Sequence, residues 1–198
     1  EELGMQGALR LIRKNKFNCK MALIGEPSNL NLINGMKGFA SIEISVPFSE
    51  EKKKDRSDHD LRESISTQTK VFHGKSAHSS TPQLGDSAIV KIFEYLKNLP
   101  ESIGLIEITG GVNHNTVPAH GFLELDLSLN YTSDSIIRKL IFVYNELKKL
   151  EIFFSTIKDA RFNPDNPTLN IGKIMTLQNE ILIQGCCRIP PNVTSETW

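Results

Sequence analysis

Gly74-Lys75-Ser76-Ala77-His78-Ser79-Ser80-Thr81-Pro82, followed by Gly85-Asp86-Ser87-Ala88, is the stretch on which the reading of this chain turns. A strand-like run, Thr69 to Phe72, leads into it and a helical pattern leaves it. Small Gly and hydroxyl residues flank His78, so its imidazole has little bulk around it and can project from a strand end into a cleft, although an ordinary loop histidine would look the same. Asp86 is placed to cap the following helix, whose apolar face is Ile89, Ile92, Phe93 and Leu96, with Pro100 beyond its end.

Working outward, Gly38 to Val46 alternates apolar and small polar residues (Phe39, Ile42, Ile44, Val46), the pattern of a half-buried strand. Residues 49–68 include Glu50-Glu51-Lys52-Lys53-Lys54-Asp55-Arg56 and have almost nothing to bury, which predicts a solvated, flexible insertion in a hairpin. Leu105 to Thr109 and Phe122 to Leu129 read as strands flanking a loop around Asn115. Ser133 can cap a second helix with Ile136, Leu140, Tyr144, Leu147 and Leu150 along one side. Asn163 to Pro167 is a loop, and Leu169 to Ile174 and Ile181 to Gly185 are a last pair of strands. Ahead of all this, Gly7 to about Asn15 reads as a helix and Met21 to Ile24 as a short strand ending at Gly25. The order from Gly38 onward predicts an α+β fold: an antiparallel sheet with two helices on one face. No repeat of the solenoid kind is visible.

The bulk composition narrows the function. Twenty-three basic and 23 acidic residues leave a formal charge of zero, which gives no reason to expect nucleic acid or an anionic membrane as partner. No apolar run approaches the roughly 20 residues that span a bilayer. Three cysteines, two of them adjacent at Cys186-Cys187, do not make a structural disulfide framework or a zinc thiolate spacing, and predict a reducing, cytoplasmic setting. The opening Glu1-Glu2-Leu3-Gly4 reads as the start of a segment cut from something longer.

Four segments in order share a further property. Glu1-Glu2 with Gly7-Ala8, Gly25-Glu26-Pro27-Ser28, the His78 stretch, and Gly110-Gly111 with Asn115-Thr116-Val117-Pro118 together resemble the acetylornithine deacetylase and succinyl-diaminopimelate desuccinylase family of dinuclear zinc amidohydrolases. Aminoacylases and carboxypeptidase G-like peptidases belong to the same group. The resemblance implies a ferredoxin-like lid (dimerisation) domain over residues 37–198. A fragment of an α/β zinc-peptidase catalytic domain would occupy residues 1–36. It also implies a homodimer formed through the lid, and a parent enzyme that hydrolyses N-acyl amino acids or small peptides. The fragment by itself is expected to be inactive.

The same resemblance assigns roles. Glu1 stands where the family has its general base and Glu2 where it has a zinc ligand, though adjacent acids are commonly just two solvated side chains. Glu26, its backbone fixed by Gly25 and Pro27, stands where the second zinc is bound, or is simply an acid in a strand-ending turn. The implied cofactor is a pair of zinc ions, with cobalt or manganese as alternatives. His78 would reach from one subunit's lid into the other's active site and steady the oxyanion. Asn115 would offer its amide to the substrate, unless it only forms a turn. Arg188, in Cys187-Arg188-Ile189-Pro190-Pro191, resembles the family arginine that grips a substrate carboxylate. That arginine usually ends the strand after the Asn motif, where this chain has Asp126-Leu127-Ser128. His73, His114 and His120 read as surface residues. The early His-x-Asp pair, the bridging Asp and the late His of the family are not found, so this stretch cannot close a dinuclear site. A non-catalytic dimerisation module, or a ferredoxin-like small-molecule-binding domain, is the alternative.

Overall fold

The computed structural model describes residues 6–14, 20–21, 32–33, 35–57, 66–128 and 135–193. The chain divides into a unit from Glu1 to Gly35 and a unit from Met36 to Trp198. In the first, helix α1 covers Gln6–Arg13, as its periodicity predicts. The expected strand after Met21 lies outside the described residues, as do Glu1, Glu2 and Glu26.

The second unit is built on six antiparallel strands: β1 (Gly38–Pro47), β2 (Thr67–His73), β3 (Gly104–Gly110), β4 (His120–Asp126), β5 (Thr168–Thr176) and β6 (Glu180–Ile189). Their order across the sheet is β1-β6-β5-β3-β4-β2. Helices α3 (Ala88–Leu96) and α4 (Ser135–Thr156) pack on one face, the α+β arrangement predicted above. Each turns its apolar stripe inward: Ile89, Ile92, Phe93 and Leu96 from α3, and Ile136, Leu140, Tyr144 and Leu147 from α4, are all buried. They meet Leu105, Ile108, Leu123, Leu125, Ile174, Ile181 and Ile183 from the sheet, the inward-facing residues of their strands.

Three expectations are corrected. β1 and β2 do not form a hairpin: β1 pairs with β6 along its whole length, from Gly38↔Ile189 to Pro47↔Glu180, and β2 pairs with β4 at the opposite edge. The charged stretch joining them is not featureless either, because Glu50–Ser57 forms helix α2. Ser49 starts that helix, its hydroxyl accepting the Lys52 N–H at 3.2 Å. Lys52 is buried, and Arg56 lays its guanidinium 4.7 Å from the Phe48 ring centroid while donating to the Ile106 carbonyl at 2.6 Å. Long basic side chains have apolar stems, so a charged run can still cover core. Finally, the cap of α3 is Ser87, whose hydroxyl accepts from Val90 N–H at 3.3 Å, rather than Asp86. Asp86 is held one residue too early by a backbone bridge to Lys75, and its carboxylate pairs with Lys91 instead. The cap expected at Ser133 lies outside the described residues.

Candidate functional site

The connection between β2 and α3 carries His78, and the long β3–β4 connection carries Asn115. The structure zips these two connections together. Val117 N–H donates to Ala77 O at 2.8 Å, Ser79 N–H donates to Asn115 O at 2.9 Å, and His78 and Thr116 form a β-bridge. His78 is exposed. Its Nδ1 accepts the Ser80 N–H at 3.2 Å and lies 2.7 Å from the Ser80 hydroxyl oxygen. A ring that accepts at Nδ1 carries its neutral-form proton on Nε2, so the exposed edge of the imidazole is a donor.

The zipped connections rest on the helix-free face of β5 and β6. Asn170, buried in β5, donates its amide to the carbonyls of His114 at 3.0 Å and Thr116 at 3.1 Å. Thr168 donates its hydroxyl to Ser79 O at 3.2 Å, and the Cys186 thiol reaches His114 O at 3.3 Å. Close backbone passage makes this possible: Gly111 adopts φ 69°, and a Cβ there would collide with the Gly172 carbonyl. A Cβ on Gly172 would in turn strike the carbonyls of Asn113 and His114.

Arg188 enters the same end of the sheet from β6, opposite Thr168 on one side and Phe39 on the other. Its guanidinium carbon lies 4.7 Å from the Phe39 ring centroid, and the His114 ring lies 5.8 Å from the same Phe39 ring. Arg188 Nε is buried and makes no hydrogen bond among the described residues. Burial pushes the Cys186 thiol up, with the Arg188 charge acting the other way. Beside Thr116, on the open face, a cavity of about 460 Å³ is lined by Val71, Ser76, Thr109, Val117 and Phe122. That size falls in the range of small-ligand pockets.

Three of the six expected site residues, His78, Asn115 and Arg188, thus gather at one end of one sheet face. The other three, Glu1, Glu2 and Glu26, lie outside the described residues. His114, read as a surface residue, is instead half-buried and its carbonyl is a hub of the site, while His73 and His120 are exposed and pack edge to face. Sequence reasoning missed Phe39 and Asn170. Asn170 left a signal, being an amide between Leu169 and Ile171 in a strand pattern.

The family model for the peptidase dimerisation domain matches residues 61–190. The chain belongs to this family. The peptidase dimerisation domain accounts for the α+β sheet-and-helix layer described above, a ferredoxin-like lid. No curated protein matches the chain. Among solved structures the dimerisation domain is similar to the crystal structure of aminoacylhistidine dipeptidase from Vibrio alginolyticus, at 16% identity and a TM-score of 0.48, covering 78% of this chain and 39% of that one. The chain therefore spans well under half of that dipeptidase.

Proposed function

We propose that this dimerisation domain is the lid of a metal-dependent amidohydrolase of the acetylornithine deacetylase type, acting on N-acyl amino acids or small peptides. Residues 1–36 would be a piece of its catalytic domain and residues 37–198 the lid. The observation that carries the reading is the convergence of His78, Asn115 and Arg188 on one end of one sheet face, where a donor for an oxyanion, an amide and a carboxylate-binding fork are what such a substrate requires.

In this reading Arg188 takes the substrate carboxylate, Asn115 orients the amide, and the Nε2–H of His78 donates to the oxyanion of the tetrahedral intermediate. Glu1 takes the proton of the attacking water. Among the described residues no group of three or more His, Cys, Asp or Glu can hold a metal ion, so no step within the lid is routed through one. Two zinc ions, or cobalt or manganese in their place, belong to the proposed parent, with Glu2 and Glu26 among their ligands. A cytoplasmic setting is part of the same reading, supported by Cys186 and Cys187 being buried free thiols. Homodimerisation, in keeping with the family, is proposed through the open edge of β2, where Thr67 to Val71 are exposed.

The test is release of free amine from N-acetylornithine, other N-acetyl amino acids and dipeptides by the protein that contains this chain, with each of the three metals. Hydrolysis is expected, falling at least about 100-fold in kcat with His78→Ala and rising in KM with Arg188→Ala. A parent that turns over none of these substrates with any of the metals sinks the reading.

A further inference from the structure

His73, the last residue of β2, stands directly opposite His120, the first residue of β4. Just beyond them Gly74 N–H donates to Ala119 O at 2.8 Å, which makes the two histidines a non-hydrogen-bonded pair of the antiparallel ladder. Facing side chains come closest in such pairs, whose Cα atoms lie about 4.5 Å apart. Strand alternation decides which way the rings point. Phe72 is buried with its ring 5.6 Å from that of Tyr95 in α3, and a Cβ added at Gly121 would lie 2.7 Å from Ile92 Cδ1 of the same helix. Their neighbours His73 and His120 therefore project from the helix-free face.

Both histidines are exposed, and their rings meet with 5.6 Å between centroids and 89° between planes. Neither ring makes a hydrogen bond among the described residues, whereas His78 uses its Nδ1 on Ser80. The nitrogens of His73 and His120 thus share one patch of surface without a protein partner. A neutral imidazole offers one nitrogen lone pair, a donor suited to zinc, copper and nickel. Two imidazoles bound at about 2.0–2.1 Å to one tetrahedral ion have centroids roughly 5 Å apart. The observed spacing is close to that, and a small turn about χ2, a soft torsion in histidine, closes the difference. Lys91 of α3 reaches His73 O at 2.7 Å, but its ammonium is paired with the Asp86 carboxylate, so its charge is offset.

We propose that His73 and His120 chelate one divalent transition ion, zinc or its neighbours copper and nickel, and that the ion clips edge strand β2 to β4. It is separate from the zinc ions of the proposed parent and shares no ligand with them. Magnesium and calcium, which take oxygen ligands, do not fit. Since no larger group of ligating side chains surrounds the pair among the described residues, water or a small anion completes the coordination. His120 also lines the cavity of about 460 Å³ with Val71 and Phe122, so those open positions border it.

The position gives the clip its effect. β2 has a strand neighbour on one side only, and Thr67 to Val71 are exposed. Its end leads straight into the connection that carries His78. The two histidines are distant in sequence and meet only when β2 is docked on β4. An ion that binds both therefore favours the docked strand over the detached one.

The test is a zinc titration of the full chain, followed by NMR at the histidine rings, in wild type, His73→Asn and His120→Asn. Both side chains are exposed, so the variants are expected to fold as wild type does. The expected result is a saturable change at both rings of wild type with one equivalent of zinc, and affinity at least about tenfold weaker in each variant. Magnesium should change neither ring. In urea, zinc should raise the unfolding midpoint of wild type more than that of either variant. A wild type that binds no better than the variants overturns the proposal, as does zinc that moves other histidines and leaves these two in place. Absence of saturation below about 1 mM zinc overturns it as well. A midpoint unmoved by zinc bound at the pair overturns the clip. None of these outcomes bears on the substrate reading, which stands or falls on hydrolysis by the parent.

Discussion

The backbone N–H of Ser79 donates to the carbonyl of Asn115 at 2.9 Å, so the histidine-bearing and asparagine-bearing connections are one structural piece. Asn170 and Thr168 fasten that piece to β5, and Arg188 borders it from β6. The backbone around His78 and Asn115 is thus held by hydrogen bonds to buried side chains rather than by loop chance, and Arg188 is placed by its strand.

Asn170→Ala removes the amide shared by the His114 and Thr116 carbonyls and leaves both without it. The expected cost is about 2–3 kcal/mol in urea unfolding, together with faster hydrogen exchange at Ser79 and Val117. Unchanged exchange there would mean that Asn170 does not hold the loop.

Gly111→Ala forces a side chain onto a backbone at φ 69° and into the Gly172 carbonyl. The loop has to move, and a loss of roughly 2–4 kcal/mol is expected. Calorimetry checks the stability, and the His78 and Asn115 resonances should shift while those of α3 do not.

Ser87→Ala and Asp86→Ala separate cap from surface charge. Ser87→Ala should cost about 1 kcal/mol through its lost bond to Val90 N–H. Asp86→Ala removes an exposed pair with Lys91 and should cost less than about 0.5 kcal/mol. The reverse ranking in denaturant titrations would restore Asp86 as the cap.

Thr176→Val keeps the shape of the side chain where β5 meets β3 and deletes the hydroxyl that accepts from Ile108 N–H at 2.8 Å and donates to Ile108 O at 3.0 Å. We expect about 1–3 kcal/mol of lost stability. The loss should appear as earlier exchange of the β3 amides, with the β1–β6 ladder still protected.

Burial pushes the Cys187 thiol up to about 12, from its ordinary value of 9.0. The unfolded chain therefore ionises first, and the stabilisation is complete below pH 9 and lost as pH climbs toward 12. Burial also raises Cys186 and Tyr144, which adds in the same direction. Unfolding midpoints should fall across that alkaline window, and less steeply in Cys187→Ala. At pH 8 both thiols of the native protein should resist iodoacetamide and react once it is unfolded.

Local pattern alone was enough to place the two helices, the inward faces of Ile89 to Leu96 and Ile136 to Leu147, and the strands around them. A repeat of 3.6 or 2 residues is the imprint of which side is covered. His78, Asn115 and Arg188 are singled out by the resemblance of their segments to a known family rather than by periodicity. Periodicity says that a face is buried but not by what. Tertiary pairing therefore decided that β1 and β2 lie at opposite edges, that Arg56 reaches over to Ile106, and that Asn170 supports the loop from below. Hydrogen-bond partners of strands are chosen between distant segments by shape and register, and that choice leaves no local trace in the residues that make it.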